Sequence, residues 1–130
     1  MAGTIVADDL QHSTAGSVGT EYVVNGSAKV WCNLNGTGTI SIRDSFNTSS
    51  IRDDGSGNYA VIINNNMNSN AYSVSGSVVG SSGGSYYSFV ASNGANSQMA
   101  TTEYEFTTIH ASGAIGDQDR VSTSVHGDLA

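Results

Sequence analysis

Apolar residues recur at every second position along most of this chain, the period of half-buried β-strands. Ala28, Val30, Cys32 and Leu34 share one face, with Lys29, Trp31 and Asn33 on the other. Ile40 and Ile42 alternate with Thr39, Ser41 and Arg43, and Tyr72, Val74, Gly76 and Val78 alternate with Ser73, Ser75 and Ser77. Tyr87 and Phe89 flank Ser88, and Tyr104, Phe106 and Thr108 oppose Glu103, Glu105 and Thr107. Tyr59, Val61 and Ile63 alternate with Ala60 and Ile62, a run apolar enough for burial on both faces. Arg120 to Val125 supplies a last strand. No helical period competes; Ile5, Val6 and Leu10 in TIVADDLQHSTAG predict one short helical turn at most.

Turn residues punctuate these runs. Asn25-Gly26 and Asn35-Gly36 accept positive φ and predict tight hairpin turns, while Gly80 to Ser85 and Ser92 to Ser97 read as connections. Turn signals roughly every eight to twelve residues are those of an all-β sandwich or barrel. The expected fold is an antiparallel β-sandwich, jelly-roll-like or a small barrel, over residues 21–130, with an extended N-terminal arm over residues 1–20. The chain holds no proline, so its sheet edges need charge, bulges or a partner chain.

With 130 residues, 38% hydrophobic and 16 of them glycine, the chain predicts one domain with a thin core that gains from oligomerisation. A net charge of −7 with only Lys29, Arg43, Arg52 and Arg120 as cations argues against nucleic acid and against anionic membrane surfaces as partners. Cys32 is the sole cysteine, so no intrachain disulfide is expected, and its place between Val30 and Leu34 predicts a buried thiol. The first residues lack the basic and apolar regions of a signal peptide, and no apolar run is long enough to span a bilayer; synthesis in a cytoplasm is the expectation. The sequons at Asn25, Asn35 and Asn47 then read as turn chemistry.

The segment SIRDDGSGNYAV has the composition of a calcium loop but not its spacing. Counted from Asp53, loop positions 3 and 5 fall on Gly55 and Gly57; counted from Asp54, positions 6 and 12 fall on Tyr59 and Asn65. Asp54-Gly55-Ser56-Gly57 therefore predicts a hairpin connection. Glu103 and Glu105 would stand about 6.5–7 Å apart on one strand face, near a glycosidase carboxylate spacing but common to any i, i+2 pair, so a solvated face is expected. Asp117 and Asp119 lack further ligands nearby, and His12, His110 and His126 lack metal spacing. No catalytic, cofactor-binding or metal-binding residue is assigned. Trp31, Tyr86, Tyr87 and Tyr104 are candidates for intersubunit contact or for stacking on a sugar, and Ile5, Val6 and Leu10 are candidate arm contacts.

From Asn25 to Val61 a set of residues falls at distinctive offsets: Lys29, Trp31, Asn33, Asn35-Gly36-Thr37-Gly38-Thr39, Ile42, Ser45-Phe46-Asn47, Ser49-Ser50-Ile51, Asp53, Gly55, Gly57, Tyr59 and Val61. This segment resembles small virion proteins of tailed bacteriophages, marine ones in particular, of the tail-fibre-like and capsid-decoration type. Cys32 stands where an aliphatic residue is expected. The resemblance implies a non-enzymatic, homotrimeric structural protein in the virion, with no cofactor and with major capsid or tail proteins as partners. A capsid decoration (cement) protein is the expectation. The alternatives are a tail-fibre component or a receptor- or carbohydrate-binding module, with a host surface glycan as ligand.

Overall fold

The alternating runs become strands in a computed structural model that describes residues 3–79, 87–91 and 99–130. The sandwich comprises β3 (Val30–Asn35), β4 (Ser41–Phe46), β5 (Thr48–Asp53), β6 (Asn58–Ile63), β7 (Ser73–Val79), β8 (Tyr87–Ala91), β9 (Glu103–His110) and β10 (Arg120–His126). Ahead of it lie β1 (Asp9–His12), β2 (Gly16–Gly19) and helix α1 (Thr20–Gly26). One four-stranded sheet has the order β4-β3-β10-β7 and the other β5-β6-β9-β8, all pairs antiparallel, and no barrel is closed.

The two middle strands of each sheet carry the core. Val30, Cys32 and Leu34 of β3 and Val121, Thr123 and Val125 of β10 are buried, as are Tyr59, Val61 and Ile63 of β6 and Tyr104, Phe106 and Thr108 of β9. Burying one such large apolar side chain is worth roughly 1.5–3 kcal/mol. Phe106 is the aromatic centre, with ring centroids 4.9 Å from Phe89, 5.5 Å from Tyr59 and 6.4 Å from Tyr104. A polar bond crosses between the sheets: Tyr104 Oη lies 2.7 Å from Thr123 Oγ1, and that hydroxyl is 3.3 Å from the Cys32 carbonyl. Gly76 permits close approach of the sheets, since a Cβ there would come within 2.6 Å of the Phe89 ring.

The chain switches sheets between β4 and β5 through a single residue, Asn47, at φ 54°. Asparagine tolerates this left-handed conformation because its short side chain bonds locally. Here Nδ2 donates to the carbonyls of Lys29 (3.1 Å) and Asn65 (3.0 Å), and Oδ1 accepts the Asn65 amide (2.7 Å). The connection from β5 to β6 is the expected hairpin: Asn58 N–H donates to Gly55 O at 2.8 Å, and Gly55 and Gly57 have φ 112° and 67°.

Several local expectations are corrected. Asn35-Gly36 does open a hairpin, but five residues, 36–40, connect β3 to β4 and the positive φ falls on Gly38. Asn35 Oδ1 instead accepts the Thr37 amide and hydroxyl, and Gly36 N–H is drawn to Gln118 O. Asn25-Gly26 forms no hairpin; it ends α1. The short helical turn expected around Ile5, Val6 and Leu10 is absent there, because Asp9–His12 pairs with Gly16–Gly19 as a hairpin. His12 Nδ1 accepts the amides of Thr14 and Ala15 inside its turn, and Gly16 takes φ 96°. The segments 80–85 and 92–97 lie outside the described residues.

Candidate functional site

Helix α1 contains β-branched Val23 and Val24, is only 7 residues long and buries none of them. Isolated helices of that length are unstable in water. Its anchor is Lys29, 8% exposed, whose ammonium donates to the Val24 carbonyl, to Ser27 O (3.1 Å) and to Ser27 Oγ (2.8 Å). A cation at a helix C-terminus satisfies carbonyls that lack intrahelical donors and complements the helix dipole. Ahead of the helix, Thr20 ties back to the start of β1 through its amide to Asp8 O (2.8 Å) and its hydroxyl to Ala7 O (2.6 Å). Residues 3–27 contain no buried side chain. Ile5 and Val6 are 90% and 93% exposed, and Leu10, Val18, Tyr22, Val23 and Val24 are also exposed. The candidate contacts Ile5, Val6 and Leu10 thus sit on an arm whose apolar side chains are left exposed by the described residues.

The aromatic candidates separate. Tyr104 is removed as a stacking ring: it is wholly buried and its hydroxyl is bound to Thr123. Burial pushes its phenol well above the usual tyrosine range. Tyr86 and the side chain of Tyr87 lie outside the described residues. Trp31 is half-buried on the outer face of its sheet. Directly opposite it on β4 is Phe46, 54% exposed, which the sequence reading passed over. The signal for Phe46 was present: it follows Asp44 at i+2 on an edge strand, but the bulge at Arg43 shifts the face that simple alternation from Ile42 would assign.

The carboxylates have structural partners. Arg52 of β5 reaches across the small Ala60 of β6 to pair with Glu103 (2.8 Å) and Glu105 (2.8 Å) on β9, and with Asp54 (2.7 Å) in its own hairpin. Glu103 and Glu105 side chains are only 21% and 13% exposed, so the expected solvated face is instead an ion-paired one. The bonds to Asp54 and Glu103 hold the guanidinium charged. Asp117 and Asp119 do not converge. Asp117 Oδ1 accepts the Gly57 amide (2.6 Å) and lies 3.0 Å from Tyr59 Oη, whereas Asp119 pairs with Arg43 and Arg120. Gly57 is required by its positive φ and by contact: a Cβ there would lie 2.7 Å from Gly116 N. His12 and His110 bond within their own turns. Cys32 is buried, and that burial pushes its thiol up to about 11, away from nucleophilic character. Among the described residues no group of three or more His, Cys, Asp or Glu is placed to hold a metal ion, and no helix is long and apolar enough to cross a membrane.

No protein-family model, curated protein or solved structure matches the chain.

Proposed function

We propose that this chain is a non-enzymatic structural protein on the exterior of a tailed-phage virion, a homotrimeric capsid decoration protein whose arm lies on neighbouring subunits. The observation that carries the reading is the contrast between a self-contained sandwich and an arm with regular structure but no buried residue. An isolated two-stranded hairpin is marginal in water, and so is a 7-residue helix. Contiguous exposed apolar surface marks interaction sites in soluble proteins. The resemblance of Asn25 to Val61 to small phage virion proteins supports the particle as the place of that interaction. In this reading the ion pairs of Arg52 pin the edge strand β5 to the sheet interior, so that β5 is guarded against uncontrolled pairing.

A map of the intact particle at subunit resolution tests the proposal. Density for the sandwich on the capsid shell, with residues 3–26 running onto adjacent subunits, is the expected result. Density at the tail would replace decoration by a tail-fibre component. A particle that lacks the chain overturns the proposal.

A further inference from the structure

The outer face of the β4-β3-β10-β7 sheet is a grid set by strand register. One row across the four strands is Phe46, Trp31, Ser124 and Ser75; the next is Asp44, Asn33, Ser122 and Ser77. Strands lie about 4.8 Å apart and same-face neighbours about 6.8 Å apart, so a row spans roughly 14 Å. The grid has three chemical properties. Its first row begins with an exposed Phe46 beside a half-buried Trp31. Its remaining positions are hydroxyls and an amide, held in place by bonds from Asn33 Nδ2 to Ser122 Oγ (2.7 Å) and between Ser75 Oγ and Ser124 Oγ (2.8 Å). These two rows carry a single charge, Asp44 at the margin, on a chain of net charge −7, and the next outward residue along β10, Arg120, is paired with Asp119. The small serines leave a shallow trough over Gly76 and Thr123.

The geometry points to a binding site for a neutral oligosaccharide on this face. A pyranose presents an apolar C–H face and a rim of hydroxyls, and both have counterparts here. The exposed Phe46 supplies apolar surface for the ring face, with the accessible part of Trp31 next to it across the strand pair. Asn33, Ser122 and Ser124 supply small donors and acceptors, which remain partly unfilled because each hydroxyl has two lone pairs and one donor. The pairing among these side chains fixes their rotamers before a ligand arrives, which lowers the ordering cost of binding. An anionic ligand is disfavoured, because neither row holds a basic side chain, the nearest one on the face, Arg120, is paired with Asp119, and the chain as a whole is acidic. A row of roughly 14 Å suits several linked sugars rather than one. This site is independent of the placement on a virion.

Trp31 is the only tryptophan, so its intrinsic fluorescence reports on the face directly. The full chain is titrated with neutral hexose oligomers: cello-, laminari-, malto-, manno- and galacto-oligosaccharides. The expected result is a saturable change in Trp31 emission with at least one of them, at a Kd of about 0.1–1 mM. Phe46→Ala should weaken it about ten-fold or more, and Ser75→Arg should abolish it by filling the trough. Both positions are exposed, and an unchanged thermal midpoint verifies each variant's fold. Amide chemical-shift changes in the unsubstituted chain should cluster at Asn33, Ser122 and Ser124. Silence across the panel overturns the proposal. So does a response that survives both substitutions, or a Trp31 change that depends on protein concentration alone and so makes the face a contact between copies.

Discussion

At the scale of single residues, a few polar side chains hold the positions where this fold is most demanding. Asn47 is the sheet-switching corner, and it combines a left-handed backbone with three side-chain bonds. Asn47→Ala should lower stability by about 2–3 kcal/mol, through backbone strain and unpaired carbonyls. Asn47→Gly relieves only the strain and should recover about 1 kcal/mol of that loss. Chemical denaturation of the two variants checks the order; equal losses would assign the whole effect to the hydrogen bonds. Cys32 and Tyr72 make a second prediction. Burial raises the Cys32 thiol from 9.0 to about 11 and the Tyr72 phenol from 10.0 to about 12. The folded state thus prefers the protonated forms. Their contribution is complete below about pH 9 and is lost as pH rises through about 11 and then about 12. Cys32→Ala should flatten the first part of that decline, which is on the order of 2–3 kcal/mol for a shift of this size. Stability measured by denaturant at stepped alkaline pH reads it, and parallel declines in the two proteins would contradict it.

At the scale of elements, the sandwich strands were legible and the arm was not. Period-two alternation marked each of β3, β6, β9 and β10 because their inner residues are buried and mostly apolar, and in β3, β9 and β10 the outer ones are mostly polar, while β6 carries apolar Ala60 and Ile62 outward as well. The Asp54 to Gly57 hairpin was legible from its turn chemistry. Helix α1 was not, because TEYVVNG has weak intrinsic propensity and its stabilising cap, Lys29, lies beyond it in the connection to β3. The same reason explains the misread Asn25-Gly26: a dipeptide suited to a hairpin turn also suits a helix end. Tyr104 was misplaced although its alternation with Glu103 and Glu105 pointed it inward, because an aromatic residue serves a core as readily as an interface. Lys29→Met should therefore unravel α1 while leaving the sandwich folded. Hydrogen exchange is the check: protection should fall over residues 20–26 and persist in β6 and β9. Unchanged protection in the helix would show that Lys29 does not hold it.

At the scale of the whole molecule, two parts have opposite energetics. The sandwich closes its own core around Phe106, with Tyr59, Val61 and Tyr104 fully enclosed beside it. The arm and helix α1 expose Ile5, Val6, Leu10, Val18, Tyr22, Val23 and Val24, and no side chain of residues 3–27 is buried. Association supplies what such a segment lacks, since binding to the folded form stabilises it by mass action. Closed symmetry is the usual way for copies to cover each other's apolar surface, and a homotrimer is the state proposed. The native mass of the full chain in solution, measured with hydrogen exchange over residues 3–26, tests this most directly. Three chain masses, with the arm protected in the assembly, is the predicted result. A monodisperse, soluble monomer whose arm is equally protected would contradict it.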